Sequence, residues 1–285
     1  MGFKDKLKEK LKGKLTDEEL ALLPRGFQSL GKVVILKLNQ KLYEQRTAIG
    51  NACLELLPKI KSIYANMGRI IGTFREPEKI EFIAGEDNPI VEHREHDVIY
   101  RFDITKIMFS KGNVHERRFL ATLVKKGEII VDMFAGIGYF SLPIARHSAA
   151  ERIYSIELNP ESYRFLTENI KINHFEDKII PINGDCKQEV LKLSNAGIMA
   201  DRIIMGVFPA PKEHIKEALT LTREKGSIFH YEGVVEKDKY LTLFEDFKAI
   251  AKKENYRCKL NSYRYVKSYG PNLFHTVLDI FVSKN

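Results

Sequence analysis

Residues 131–145 read VDMFAGIGYFSLPIA, the order of a strand that runs into a glycine turn and then a helix. Gly136 and Gly138 carry no Cβ, so the backbone of Ala135-Gly136-Ile137-Gly138 can turn sharply and pass close to a ligand. Glu157 ends the next apolar run, RIYSIEL, where a carboxylate can accept hydrogen bonds from both ribose hydroxyls of a nucleoside. Asp185 closes the third run, KIIPINGD, in reach of the exocyclic amine of an adenine. Taken singly, Glu157 is equally a surface carboxylate and Asp185 equally a helix N-cap. Together they give three successive strand ends with a glycine loop, a ribose acceptor and an adenine acceptor. Ligands of parallel sheets sit at such ends.

A dinucleotide would place its pyrophosphate on the helix N-terminus and call for a fuller GxGxxG. Here Tyr139 and Phe140 fill the positions after Gly138. With Asp132 ahead of it, the phrase D-x-F-A-G-x-G resembles the class I S-adenosylmethionine-dependent transferases. The resemblance implies that Phe134, Ala135, Gly136 and Gly138 line the cofactor. It also implies that Glu157 holds the ribose and that Asp185, with Cys186 beside it, meets the adenine.

Three further stretches lie in order with that loop: FREPEKIEFIAGE (74–86), DITKIMFSKGNVHERRF (103–119) and VKSYGP (266–271). The set resembles the tRNA (guanosine-N1-)-methyltransferases that act next to the anticodon. It resembles as closely their relatives, the wybutosine-pathway aminocarboxypropyltransferases. The methyltransferase branch has an Asn-Leu-Pro motif after its fourth strand, whose backbone and amide hold the target base. This chain reads Met205-Gly206-Val207-Phe208-Pro209-Ala210-Pro211, without that amide. The departure points to the archaeal aminocarboxypropyl branch. It implies transfer of the 3-amino-3-carboxypropyl group of S-adenosylmethionine to carbon 7 of 4-demethylwyosine in the anticodon loop of tRNA-Phe, with release of 5′-methylthioadenosine. Guanine-N1 methylation at the same position is the alternative. A tRNA-binding protein that keeps S-adenosylmethionine as a structural ligand is the third reading.

The resemblance distributes further roles. Ser110 and Arg117 hold the carboxylate or amine of the methionine moiety, an Arg fork being suited to a carboxylate. Glu116 matches the general base of the methyltransferase branch and accepts the proton lost from carbon 7, or else only pairs with a neighbouring arginine. Arg75 contacts RNA or developing charge, or forms a surface ion pair. Gly206 allows a close approach at the fourth strand, or marks a tight bend. His230-Tyr231-Glu232 borders the pocket. Tyr263, Arg264, Tyr265, Lys267 and Tyr269 interleave cations with aromatic rings, which suits phosphates and stacked bases. Alternation along an edge strand would look the same. Lys111, Arg117 and Arg118 add to that surface.

The elements that must position these residues follow from periodicity. Strands are expected at 128–134, 152–158, 178–183, 202–207 and 227–231, with helices at 139–147, 160–173 and 212–222 between them. That rhythm predicts an α/β, doubly wound parallel sheet of the Rossmann-like type over residues 106–285. Segments 256–266 and 276–282 are expected to close it as an antiparallel hairpin at the sheet edge. Before it, a strand (32–38), a helix (39–61) and β-like segments (62–66, 79–83 and part of 90–102) predict a small α+β domain at 18–105. Phe3, Leu7, Leu11 and Leu15 recur every four residues and predict a helix within 1–17, clothed by six lysines. It reads as a basic arm for RNA or as a solvated amphipathic helix.

Composition bounds the rest. The 285 residues are 44% hydrophobic and 29% charged, which suits a chain with a real core. No apolar run reaches a membrane span, and no apolar leader opens the chain, so a cytoplasmic protein with no membrane partner is expected. Cys53, Cys186 and Cys258 lie far apart with no CxxC pair, which argues against a disulfide framework or a structural metal. The net charge of +8 favours a polyanionic partner, because Lys and Arg release counterions from phosphates.

Overall fold

The computed structural model describes residues 1–68, 70–72 and 76–285. Arg75 therefore lies outside the described residues. The chain divides into two compact units, Met1–Glu95 with Ile99–Phe109 and His96–Val98 with Ser110–Asn285.

The first unit opens with α1 (Phe3–Leu11) and α2 (Asp17–Leu22), the latter started by a capping box. Thr16 Oγ1 accepts from the Glu19 N–H at 3.2 Å, and Glu19 Oε2 accepts from the Thr16 N–H at 2.8 Å. Strands β1 (Gln28–Leu30), β2 (Val33–Lys37), β3 (Ser62–Asn66) and β6 (Ile80–Gly85) form one sheet in that order. The pair β2–β3 is parallel, with α3 (Arg46–Leu56) as its crossover. Two short antiparallel strands, β4 (Ile70–Ile71) and β5 (Glu76–Pro77), precede β6, and β7 (Ile90–Glu95) and β8 (Val98–Asp103) pair as a two-stranded sheet. The leucine stripe of α1, the helix read as a basic arm or a solvated amphipathic helix, packs inward. Leu7, Leu11 and Leu15 are buried in one core with Ile49, Cys53, Val34 and Ile63. Apolar surface every fourth residue, about 25 cal/mol per Å² buried, wins over solvation of the helix. Its exposed residues are Asp5, Lys6, Glu9 and Lys10.

The second unit carries the expected α/β sheet. Its elements are α4 (Val114–Leu123), β9 (Ile129–Asp132), α5 (Ser141–His147), β10 (Arg152–Glu157), α6 (Pro160–Ile172), β11 (Ile179–Asn183), α7 (Cys186–Asn195), β12 (Arg202–Met205), α8 (Ile215–Leu219), β13 (Ser227–Glu236), α9 (Tyr240–Lys253), β14 (Tyr256–Gly270) and β15 (Leu273–Lys284). The strand order is β11-β10-β9-β12-β13-β15-β14. The first five strands are parallel, and β15 pairs antiparallel with both β13 and β14. The chain leaves β9 toward β10 and β11, then returns to β12 on its other side. That reversal opens a crevice at the carboxyl ends of β9 and β12.

Local chemistry accounts for the helix starts. Asn159 caps α6 through a 2.9 Å bond from the Glu161 N–H, with Pro160 in the first turn. Asp185 caps α7 through a 2.9 Å bond from the Lys187 N–H. The edge strand β14 departs from the expected simple alternation. Its register shifts at Leu260/Ser262, Tyr265/Lys267 and Ser268/Gly270, and each bulge re-aims the side chains around it.

Candidate active site

The glycine loop follows β9, and its conformation needs both glycines. Gly136 has φ 57 and Gly138 φ 98. A Cβ on Gly136 would lie 2.7 Å from the Tyr139 ring, and one on Gly138 2.7 Å from Leu142 Cγ. Ala135 ties the loop to the neighbouring strand through a 2.9 Å bond from its N–H to the Ile156 carbonyl. Phe134 stands edge-on to His214, with ring centroids 5.2 Å apart.

Glu157 grips this loop from the adjacent strand end. Its Oε2 accepts from the Gly136 N–H at 2.7 Å and its Oε1 from the Asn159 N–H at 2.7 Å. A carboxylate offers about four acceptor sites. Two backbone bonds therefore leave capacity for a pair of ribose hydroxyls. Burial pushes the Glu157 carboxyl upward, opposed by these backbone bonds. Beneath the loop, Asp132 Oδ2 accepts from Ser141 Oγ at 2.8 Å, and Ser141 Oγ accepts from Ser155 Oγ at 2.7 Å. Asp132 Oδ1 also accepts from the Phe134 N–H at 3.4 Å. Burial raises the Asp132 carboxyl to about 7 against the bonds from Ser141 and Phe134. The loop is thus a rigid cradle with free acceptor capacity, which fits the ribose end of S-adenosylmethionine.

At the third strand end, Asp185 is exposed and uses Oδ1 for its helix cap. Cap and adenine contact are compatible, since the amine needs only an acceptor. Cys186 is different. Its side chain packs in the core with Val131, Met133 and Val190, and burial pushes its thiol up to about 12.

Ser110, Arg117 and Lys267 come together beside the loop. The buried Arg117 donates from Nη1 to the Ser110 carbonyl at 2.9 Å and lies over the Tyr139 ring, 5.8 Å from its centroid. Lys267, half-buried, donates from Nζ to Ser110 Oγ at 2.9 Å. Tyr265 accepts the Asp238 N–H on its hydroxyl at 2.8 Å.

Arg264 is the clearest correction. Its Nε donates to Glu116 Oε1 at 2.9 Å and Oε2 at 2.8 Å, and its Nη1 donates to Asp279 Oδ2 at 2.6 Å. The guanidinium points into the protein because two nearly buried carboxylates there need a cation. Glu116, paired with Arg264, is 1% exposed. His230 joins the cluster, with Nδ1 3.2 Å from Asp279 Oδ1 and Nε2 3.4 Å from Glu232 Oε1. His275 Nε2 lies 3.0 Å from Glu232 Oε2. Burial opposes the charge on Glu232, yet the bonds from His230 and His275 outweigh it and hold the carboxyl at about 2. Asp279 is held well below the carboxylate range in the same way, by His230 and Arg264 against burial.

Phe140 links this cluster to the fourth strand end. Its ring is 5.5 Å from that of His230, and a Cβ on Gly206 would come within 2.8 Å of Phe140 Cε2. The Phe140 ring therefore demands a glycine at 206. His275 and Asp279 went unnoticed in the sequence. Their signal is two ionisable residues inside an otherwise apolar strand, LFHTVLDIFV. Among the described residues no group of three or more His, Cys, Asp or Glu could hold a metal ion, and no helix is long and apolar enough to cross a membrane.

Residues 91–260 match the family described as the TRM5/TYW2 methyltransferase domain, and residues 7–88 match the TYW2 N-terminal domain. The chain is 37% identical over 286 residues to the tRNA(Phe) (4-demethylwyosine(37)-C(7)) aminocarboxypropyltransferase of Pyrococcus horikoshii, covering 100% of this chain and 99% of that protein. It is 30% identical over 261 residues to the tRNA (guanine(37)-N(1))-methyltransferase Trm5b of Pyrococcus abyssi, covering 92% of this chain and 76% of the relative. The crystal structure of P. horikoshii TYW2 in complex with MeSAdo matches with a TM-score of 0.82 at 33% identity, over 99% of this chain and 100% of that one. The glycine cradle, the sheet order and these likenesses agree: the chain belongs to the TRM5/TYW2 family of S-adenosylmethionine-dependent transferases.

Proposed function

We propose that this chain is a tRNA 4-demethylwyosine aminocarboxypropyltransferase, which moves the 3-amino-3-carboxypropyl group of S-adenosylmethionine to carbon 7 of the base in the anticodon loop of tRNA-Phe. The observation that carries the choice of branch is at Gly206. A Cβ there would lie 2.8 Å from the Phe140 ring, so the amide side chain of the methyltransferase motif has no room at this position. The high coverage of the aminocarboxypropyl relative supports the same reading.

S-adenosylmethionine, when bound, supplies a carbon made electrophilic by the sulfonium, and attack at the gamma carbon in place of the methyl leaves 5′-methylthioadenosine. The chain's own work is positioning. Glu157 takes the ribose hydroxyls on the acceptor capacity left by its two backbone bonds. Asp185 accepts from the adenine amine while capping α7. Phe134, Ala135, Gly136 and Gly138 form the wall. Arg117, buried beside Ser110, holds the carboxylate of the methionine moiety with its guanidinium. Glu116 takes the proton that carbon 7 loses. Tyr265, Lys267 and the exposed Tyr263 and Tyr269 border the RNA, and Arg75 adds a cation for a phosphate. Since the substrate is a tRNA, the reading puts the enzyme in the cytoplasm.

The test uses two preparations of S-adenosylmethionine, one labelled in the carboxyl carbon and one in the methyl group, with tRNA-Phe carrying 4-demethylwyosine. Carboxyl label in the tRNA is the expected result. Methyl label in the tRNA would falsify the assignment and return the chain to the methyltransferase branch.

A further inference from the structure

Six ionisable side chains from four elements meet in one cluster: Glu116 on α4, His230 and Glu232 on β13, Arg264 on β14, and His275 and Asp279 on β15. Five of them are buried, and Arg264 exposes only 19% of its side chain. Three carboxylates against one guanidinium leave two negative charges unmatched. Charge buried without a partner is far costlier than any return from a surface ion pair.

His230 stands where the missing charge is needed. Its Nδ1 is 3.2 Å from Asp279 Oδ1, and its Nε2 is 3.4 Å from Glu232 Oε1 and 3.6 Å from Glu116 Oε1. An imidazole with carboxylates at both nitrogens donates from both, and so carries two protons. The Arg264 guanidinium opposes this, with Nη2 3.3 Å from Nδ1, and His275 reaches only the far oxygen of Glu232. The neutral Phe140 ring closes the remaining side at 5.5 Å.

We propose that His230 is a positioning residue of the transfer, an imidazolium that works with Arg264 to hold Glu116 ready for the proton released by the acceptor carbon. The inference rests on the aminocarboxypropyl reading above. In that step the C7–Cγ bond forms while the Cγ–S bond gives its electron pair to sulfur. The C7 proton then passes to the Glu116 carboxylate. The positive charge lost at sulfur matches the negative charge lost at Glu116. With His230 charged, the three carboxylates face the Arg264 guanidinium and the His230 imidazolium, and this group of five is one proton short of neutrality. Proton uptake by Glu116 brings it to neutrality. Without the imidazolium the resting cluster is two charges short, and Glu116 loses one of the two cations that hold it in place.

The test is the pH profile of kcat for the wild-type chain and His230→Gln, read as labelled aminocarboxypropyl groups on tRNA, with S-adenosylmethionine affinity measured by calorimetry. Burial works against a charge on His230, but the bonds to Asp279 and Glu232 and the nearby Glu116 outweigh it, pushing its pKa up to about 9. Wild-type kcat should therefore fall as pH rises through about 9. His230→Gln should lose roughly 10- to 100-fold in kcat at neutral pH, lack that alkaline limb, and keep its KM for both substrates. Unchanged kcat, or reduced kcat with the wild-type limb intact, overturns the proposal. Should His230→Gln fail to bind S-adenosylmethionine because it is misfolded, Asp279→Asn decides. Removing one carboxylate from Nδ1 should move the limb to lower pH, and an unmoved limb overturns the proposal. Transfer of a methyl group instead would defeat the aminocarboxypropyl reading alone, because the pH profile of that transfer still reports on His230.

Discussion

The two halves of the catalytic sheet are built in different ways. On the β9–β10–β11 side, each contact joins a loop to the strand end beside it, mostly through backbone groups: Glu157 to the Gly136 and Asn159 N–H groups, Asp185 to the Lys187 N–H. On the β12–β13–β15–β14 side, the contacts join side chains as far apart in sequence as Glu116 and Arg264, and nearly all of them carry charge. The first half is a shaped glycine cradle. The second is an electrostatic device, whose parts are useless singly because each would be an uncompensated buried charge. The difference suggests a division of labour, with cofactor binding on one side and proton handling on the other.

The largest expected effect breaks this comparison directly. Arg264→Ala leaves Glu116 and Asp279 without their shared cation and should cost about 3–5 kcal/mol in thermal unfolding. If Arg264 were instead an RNA contact, stability would be unchanged and only tRNA affinity would fall. Next, Glu157→Ala removes charge-assisted acceptors for the ribose and should weaken S-adenosylmethionine binding by roughly 100-fold in a calorimetric titration, while the second half of the sheet keeps its stability. A normal affinity would show that the cradle is not the cofactor site. Smaller again, Gly206→Ala forces the Phe140 ring to give way and should cost about 1–3 kcal/mol in denaturant unfolding. No cost would mean that the space at Gly206 is not filled by Phe140.

The finest effect is in the pH dependence of stability, where the two halves separate by window. Burial raises Asp132 from 3.8 to about 7, so its contribution is present at acid pH and is lost as pH rises through about 7. His230, held at about 9 against an ordinary 6.5, contributes fully below 6.5 and loses that contribution as pH rises through about 9. Unfolding midpoints of Asp132→Asn should lack the first slope and those of His230→Gln the second. A variant that erased both would show that the halves titrate as one unit.

Legibility from sequence follows the same divide. Strands β9 to β13 and the closing hairpin are readable because β-branched runs, glycine and helix caps are local signals. The helices α4, α7 and α9 were absent from that reading. In α7 only Cys186 and Val190 are buried, so its apolar stripe is thin. The cradle residues were readable because each ends its strand or follows it within a few residues. The charged cluster was not, since no spacing links position 116 to 264 or 230 to 279. The bulges in β14 also hid which of Tyr263, Arg264, Tyr265 and Lys267 turn inward. Arg264 looked like a phosphate contact because an arginine between tyrosines is as suited to RNA as to a buried carboxylate. Only the fold decides which partner lies opposite.

The most direct test of the central claim is the nucleoside by-product formed from S-adenosylmethionine and tRNA-Phe bearing 4-demethylwyosine, identified by mass spectrometry. The account predicts 5′-methylthioadenosine. S-adenosylhomocysteine as the product would contradict it.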